Sequence, residues 1–205
     1  RVMAVTNPIK VVLTNYEGSE VLTIENNPNA EEKTYREVTF SKELYIDGSD
    51  FMISPPPKYH RLYKDAYVRL KGAYIIKCDD VVFDEQGNVK ELLCSYVPTS
   101  KSGNDTSGLK VKGVIQWVDA NNYDKVTLRR FKPLLGLNNG EADFIHRVDK
   151  ESMRLEDALV EKAAGQAEVE DKFQFMRIGY FVKDRLSTAD KAVFNEIVGL
   201  KDSFN

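Results

Sequence analysis

Between Lys58 and Lys77 the chain gathers Lys58, Arg61, Lys64, Arg69, Lys71 and Lys77 around one acid, Asp65, with Tyr59, Tyr63, Tyr67 and Tyr74 set between them. The protein as a whole is slightly acidic, with a formal net charge of -3, so these cations are concentrated locally. Basic residues interleaved with aromatics suit single-stranded nucleic acid. Ammonium and guanidinium groups neutralise phosphates, aromatic faces stack on unpaired bases, and planar arginine forks and amides read exposed base edges. The commoner arrangement for such a pattern is a half-buried strand with its aromatics in the core and its cations in water, and these residues alone leave that alternative open.

No other constellation points to catalysis or to a metal. The two histidines, His60 and His146, stand apart, and no Ser-His-Asp or Cys-His arrangement stands out. A phosphate-cradling glycine-rich loop is missing. Cys78, Cys94, His60 and His146 lack the clustered spacing of a zinc site, so no metal is expected. The adjacent acids Asp79 and Asp80, and Glu31 and Glu32, read as solvated turn charges. The residues therefore indicate a binding module with no catalytic residues.

The elements that must position the basic stretch are short strands. The chain has 205 residues, 42% hydrophobic and 30% charged, enough for one large domain or two small ones. Segments 9–16, 20–26, 36–46, 66–78, 81–96, 109–118, 125–135 and 173–182 are rich in Val, Ile, Thr and aromatics. Alternation of Val68 and Leu70 with Arg69 and Lys71 puts the two cations on one strand face. "DEQGN" (84–88) and "NNYD" (121–124) read as tight turns, and "PTSKSGNDTSG" (98–108) as a mobile loop. Cys78 and Cys94 flank "DEQGN", which would set them opposite each other on paired strands. Segment 152–171 is rich in helix formers, with Leu155, Leu159 and Ala163 at spacing four, and segment 187–200 reads as a turn or short helix followed by a strand. No apolar run approaches the roughly 18 residues that would span a bilayer, and no secretory signal is apparent. A cytoplasmic protein with reduced thiols and no membrane partner is the expectation, and a first residue of Arg implies a piece of a longer protein.

Eight stretches fall in one order: "RVMAVTNPIKVVLTNY" (1–16), "ENNPN" (25–29), "REVTFSKELYIDGSDF" (36–51), "YHRL" (59–62), "VRLKGAYIIKC" (68–78), "KVKGVIQWV" (110–118), "FQFMRIGYF" (173–181) and "VFNEIVGLKDSF" (193–204). Together they resemble the C-terminal anticodon-binding region of bacterial-type glutaminyl-tRNA synthetases, essentially end to end. The resemblance implies an all-β fold of two tandem β-barrels with short connecting helices, with residues 1–115 as barrel one, 116–205 as barrel two, and a first strand (1–13) packing with barrel two. It favours extended chain over helix at 152–171. It implies a monomer whose partner is the anticodon loop of a glutamine tRNA, carried behind a class I catalytic domain that uses ATP and Mg2+. The His-Ile-Gly-His-like and Lys-Met-Ser-Lys-Ser-like signatures of that domain are missing from this chain, so no cofactor is expected here and this piece would not aminoacylate by itself.

Residue by residue, the resemblance sets Arg1 and Gln174 at the middle anticodon base, a uracil, with Arg177 in the same pocket or on its phosphate and Asn29 framing it. It sets Arg61 on the third base, a guanine, and Arg69 and Lys71 near the first base and its backbone. Lys58 and His60 join the RNA-contacting set. Lys58, like Lys64 and Lys77, reads more readily as a solvated strand-edge charge than as a base reader, and His60 stands where lysine is common, which would remove its phosphate contact or make it pH-dependent. Lys71 stands where arginine is common. Met176 replaces a common glutamate, which would leave Arg177 without an ion pair, and Gln116 replaces a histidine without an evident role. The alternatives are the same region of an archaeal or eukaryotic glutamyl-tRNA synthetase, a standalone RNA-binding β-barrel, or a protein-interaction domain.

Overall fold

The computed structural model of the protein describes residues 1–135, 148–188 and 190–200. Residue His146 and the tail of the "VFNEIVGLKDSF" stretch lie outside them.

The fold is all-β, with one nearly closed barrel and one half-barrel. A seven-stranded sheet has the order β10 (Trp117–Asp119), β5 (Glu43–Asp47), β2 (Pro8–Leu13), β8 (Val89–Tyr96), β7 (Ile75–Phe83), β6 (Tyr67–Leu70), β9 (Val114–Ile115). Its two edge strands, β9 and β10, are separated in sequence by Gln116 alone, so the chain itself carries one edge round to the other. A six-stranded sheet has the order β1 (Ala4–Val5), β12 (Met153–Glu161), β11 (Tyr123–Phe131), β15 (Ala192–Gly199), β14 (Gly179–Lys183), β13 (Lys172–Phe175). A parallel bridge between Val2 and Phe175 links the start of the chain to β13. The hairpin of β3 (Ser19–Glu25) and β4 (Tyr35–Ser41) forms a separate two-stranded sheet.

The opening "RVMAV" explains how the halves join. Successive side chains of an extended segment point to opposite faces. Val2 and Ala4 enter the core of the six-stranded sheet, and Met3 enters the core of the seven-stranded one. An uninterrupted apolar run is what a strand buried on both faces requires. The chain then passes to the other sheet at Asn7, and Pro8 begins β2. Residues 2–5 therefore pair in the second half and residues 8–13 in the first. The return crossing lies between Asp119 and Tyr123, because Trp117–Asp119 still pairs with β5; the division expected after residue 115 falls inside the first sheet.

The first core centres on Trp117, edge-on to Phe40 at 5.2 Å, with Tyr16 and Tyr74 5.0 and 5.3 Å from Phe40. The second centres on Phe175, Phe181 and Phe194. Each fully buried side chain of this size contributes about 1.5–3 kcal/mol. Cys78 and Cys94 are buried thiols in direct register on β7 and β8. Segment 152–171 resolves as strand β12, then the single helical turn α1 (Lys162–Gly165). Nine paired positions along β11 override the local helix propensity. The 98–108 loop, expected to be mobile, is laced down. Ser100 Oγ accepts from the Ile75 N–H and donates to the Val97 carbonyl, Ser102 N–H donates to the Ala73 carbonyl, and Asp105 pairs with Arg69.

Candidate nucleic-acid interface

The site begins with a hairpin. Strands β13 and β14 pair so that Gln174 lies directly opposite Tyr180, which puts a carboxamide and an aromatic ring side by side on one face. Arg1 lies alongside, held by the parallel bridge of Val2 with Phe175, and its Nε donates to Gln174 Oε1 at 2.7 Å. The far wall is the tip of the β3–β4 hairpin, where the Ala30 N–H donates to the Asn27 carbonyl and the Asn29 N–H to the Asn27 side chain. Arg36 of β4 fixes that tip. It donates to buried Glu161 of β12 at 2.5 and 2.8 Å, and to the Glu25 carbonyl at 3.2 Å. Between these walls lies an open cleft of about 600 Å³, lined by Arg1, Asn27, Asn29, Phe173, Gln174 and Tyr180 among others. That volume is within the range of small-molecule sites.

An arginine side chain donates but never accepts. The Arg1 contact therefore fixes which end of the Gln174 carboxamide is oxygen. One lone pair of Oε1 stays open to accept, and the Nε2 hydrogens stay open to donate. A flat group with an N–H beside a carbonyl matches that pair.

A second group of cations gathers next to the cleft. The tight turn after β13 has Ile178 N–H donating to the Phe175 carbonyl, and Arg177 in it adopts φ 64, a left-handed conformation that any side chain other than glycine resists. The turn inserts Met176 against the first core and delivers Arg177 to Asp50 of the other half. Its Nη1 and Nη2 donate to the two Asp50 oxygens at 2.8 and 2.7 Å. The ion pair that Met176 denies within "FQFMR" is thus supplied by Asp50, far away in sequence. Arg61 also meets Asp50, at 3.3 Å, and donates to the Ser49 carbonyl at 2.8 Å. Both contacts use Nη1, leaving the Nε–Nη2 edge of Arg61 open, and that edge is what bidentate pairing with guanine needs. Thr6, Asp47, Ser49, Gln116, Arg130 and Ile178 complete a polar cavity of about 170 Å³ beside Asp50 and Arg177.

Asp47 shapes this corner. It caps the 3-10 turn Gly48–Asp50 by accepting from the Ser49 N–H. Burial pushes its carboxyl up, but hydrogen bonds from Ser49, Thr6 and Asn7 outweigh burial and hold it below the usual range. Gln116 has a structural place after all. It is buried between the barrels, and its Oε1 lies 3.5 Å from the Ala4 N–H.

The structure thus brings Arg1, Asn29 and Gln174 to one cleft and Arg61 and Arg177 to one carboxylate. Arg177, expected in the pocket with Gln174 or on the phosphate of that base, holds Asp50 through its Nη1 and Nη2. Lys58 and His60 are exposed on the loop that carries Arg61, between the paired residues Phe51 and Leu62. Arg69 and Lys71 share the outward face of the chain at β6, while Val68 and Leu70 are buried. The Arg69 guanidinium is folded onto the Ser100 carbonyl and Asp105, which makes it an anchor for the 98–108 loop. Lys71 is exposed beside it. Sequence reasoning missed Asp50, Tyr180 and Asn27. The strand register of "FQF" against "GYF" carried the signal for Tyr180; no local pattern marks Asp50.

Two fused β-barrels with a cation- and carboxamide-lined cleft across their junction have the architecture of a nucleic-acid-binding module. Residues 1–97 match the family model described as tRNA synthetases class I (E and Q), anti-codon binding domain, and residues 114–184 match a second model of the same description. The chain is 47% identical over 211 residues to the glutamine–tRNA ligase of Clostridium perfringens, 44% over 211 residues to that of Rhodopirellula baltica and 42% over 207 residues to that of Proteus mirabilis. These alignments cover 100% of this chain and 38%, 35% and 37% of the respective relatives, so the chain spans well under half of their length. It belongs to the family of anticodon-binding domains of class I tRNA synthetases of the glutamate and glutamine type.

Proposed function

We propose that this chain recognises the anticodon loop of a glutamine tRNA, and that the protein carrying it is a cytoplasmic, monomeric glutamine–tRNA ligase that couples glutamine to that tRNA with ATP and Mg2+. The observation that carries the reading is the Arg1–Gln174 pair, with Tyr180 beside it, facing Asn29 across a nucleotide-sized cleft. The end-to-end likeness to glutamine–tRNA ligases favours glutamine over glutamate. ATP and Mg2+ would act in the class I catalytic domain that the resemblance implies, outside this chain.

In this reading the middle base, a uracil, enters the cleft and stacks on Tyr180. Its N3–H donates to Gln174 Oε1, and its carbonyls accept from Gln174 Nε2 and the remaining Arg1 donors. Cytosine reverses the donor and acceptor at that edge, so a carboxamide locked by Arg1 meets it with like facing like. The third base, a guanine, meets the open Nε–Nη2 edge of Arg61. Asn29 closes the cleft over the middle base, Lys58 and His60 lie along the backbone beside Arg61, and Lys71 is the exposed cation nearest the first base. Arg69 supports Lys71 by holding the neighbouring loop.

The test is binding of anticodon stem-loops to the full-length protein. Gln174→Ala and Tyr180→Ala should each cost about 1–3 kcal/mol on a loop with the middle uracil. Tyr180→Phe should cost little, because stacking needs only the ring. The Gln174→Ala penalty should shrink on a loop whose middle base is already cytosine. Equal weakening of every loop would make these residues general phosphate or packing contacts and end the base-reading assignment.

A further inference from the structure

Asp50 is a carboxylate with no solvent exposure that serves two cations from different halves of the molecule. Arg177 reaches it from the β13–β14 turn of the six-stranded half, and Arg61 from the loop of the seven-stranded half. The two arginines are 35% and 41% exposed at their side chains, so each presents its uncommitted donors to solvent while its other edge is held inside. The main chain around Asp50 also closes the Arg61 loop, since its carbonyl accepts from the Leu62 N–H at 2.9 Å and the Leu62 carbonyl from the Met52 N–H at 3.2 Å. One buried acid cannot be ideally placed for two guanidinium groups that move independently. Drawing Arg61 outward toward a base leaves the Asp50 charge to Arg177 alone, which straightens and tightens that pair, and loosening Arg177 has the reverse effect on Arg61.

We infer that Asp50 is a positioning residue that couples recognition of the third anticodon base by Arg61 to that of the middle base by Gln174, whose strand leads into the Arg177 turn, through one carboxylate shared across the two barrels. This rests on the anticodon reading above. Its physical content is a coupling free energy between two neighbouring base sites, and such coupling is reciprocal. A middle-base mismatch that loosens Arg177 should leave Asp50 to Arg61 and draw that arginine back from the third base, and a third-base mismatch should be felt at the cleft. The device would let the protein reject a loop wrong at either position more sharply than two independent contacts could.

The experiment is a cycle of four anticodon stem-loops bound to the full-length protein: the glutamine loop, the same loop with the middle uracil changed to cytosine, with the third guanine changed to adenine, and with both changes. In the unaltered protein the double change should weaken binding by less than the product of the two single changes, by on the order of tenfold, since either mismatch already disrupts the shared arrangement. In Asp50→Asn the single penalties should become smaller and multiply. Persistence of the shortfall in Asp50→Asn, or simple multiplication in the unaltered protein, would overturn the inference. Because Asp50→Asn could unfold the junction, Arg177→Lys provides a second arm. It keeps the charge but not the two-pronged contact, and it should lower discrimination at the third base by about fivefold, a site its own side chain does not read. Unchanged third-base discrimination in Arg177→Lys equally overturns the coupling. Gln174→Ala separates the two claims. If it leaves middle-base discrimination intact, the anticodon reading itself fails. If it abolishes that discrimination while Asp50→Asn leaves the coupling in place, only the shared-carboxylate inference fails.

Discussion

Arg36 and Glu161 form an ion pair between the β3–β4 hairpin and the end of β12, with the guanidinium 8% and the carboxylate 2% exposed. Glu161 also accepts from the Met3 N–H at 2.6 Å, so one carboxylate ties together the hairpin, the start of the chain and the six-stranded sheet. Those three elements contribute Asn27 and Asn29, Arg1, and Gln174 with Tyr180 to the cleft. The ion pair therefore sets the distance between the two walls of the site.

Removing one partner of such a pair leaves an uncompensated buried charge, and the cost is about 3–5 kcal/mol. Arg36→Ala should lower stability by that order in a urea melt, because Glu161 keeps only its backbone donor. Replacing both partners with apolar residues, Arg36→Met with Glu161→Leu, should recover most of the loss. An Arg36→Ala protein as stable as the parent would show that the pair is solvated and does not hold the cleft.

Gly113 is the second point where packing reaches the site from a distance. A Cβ at this position would lie 1.7 Å from the His60 carbonyl oxygen, so the loop carrying His60 and Arg61 can rest on the main chain only where there is no side chain. Its φ is unexceptional, so the requirement is for space and not for conformational freedom. Gly113→Ala must push the backbone of His60 outward, at about 1–3 kcal/mol of overpacking. Arg61 moves with it. The expected result is a lower thermal midpoint together with weakened discrimination at the third anticodon base, larger than the effect at the middle base, which Arg61 reaches only through Asp50. An alanine variant with parental melting and parental third-base selectivity would refute the link.

Much of this was legible in the sequence. Alternation placed Arg69 and Lys71 outward, "DEQGN" is a turn closed by the Asp84 side chain on the Gln86 and Asn88 N–H groups, and Cys78 and Cys94 pair in register. The helix-like composition of 152–171 misleads because its strand state is decided by β11, a partner about 30 residues earlier. Arg177 shows the same limit. Its neighbours in "FQFMR" contain no acid, and its partner is Asp50, 127 residues away. Contacts across the two barrels depend on the crossing of residues 2–8 from one sheet to the other, and no local spacing encodes which side chains then meet. The unbroken apolar run in "RVMAV", whose Val2 and Ala4 enter one core and Met3 the other, is the local mark of that crossing.

In the first barrel, Glu20 accepts hydrogen bonds from Tyr16 Oη at 3.0 Å and Tyr74 Oη at 2.7 Å and pairs with Lys101. Burial pushes its carboxyl up, but Lys101, Tyr74 and Tyr16 outweigh burial and hold it below the ordinary value of 4.5. Both tyrosines are pushed well above their ordinary value by burial and by the hydrogen bond to charged Glu20, so they remain donors through the acid and neutral range. Because the folded carboxyl is the stronger acid, the unfolded chain binds more protons between the two values, and stability rises with pH there. The contribution of Glu20 is fully present above the unfolded value and is lost as pH falls through the folded one. Asp47, Asp84 and Asp184 are depressed as well, so the acid limb of the parent protein sums several groups. The difference between parent and Glu20→Gln isolates this one. Denaturant melts across the acid range should show the variant less stable than the parent near neutrality, with the gap closing as pH drops below about 4.5. A gap that stays constant down to the lowest pH would mean that the variant loses packing alone, and that the Glu20 charge does not support the Tyr16–Tyr74 corner.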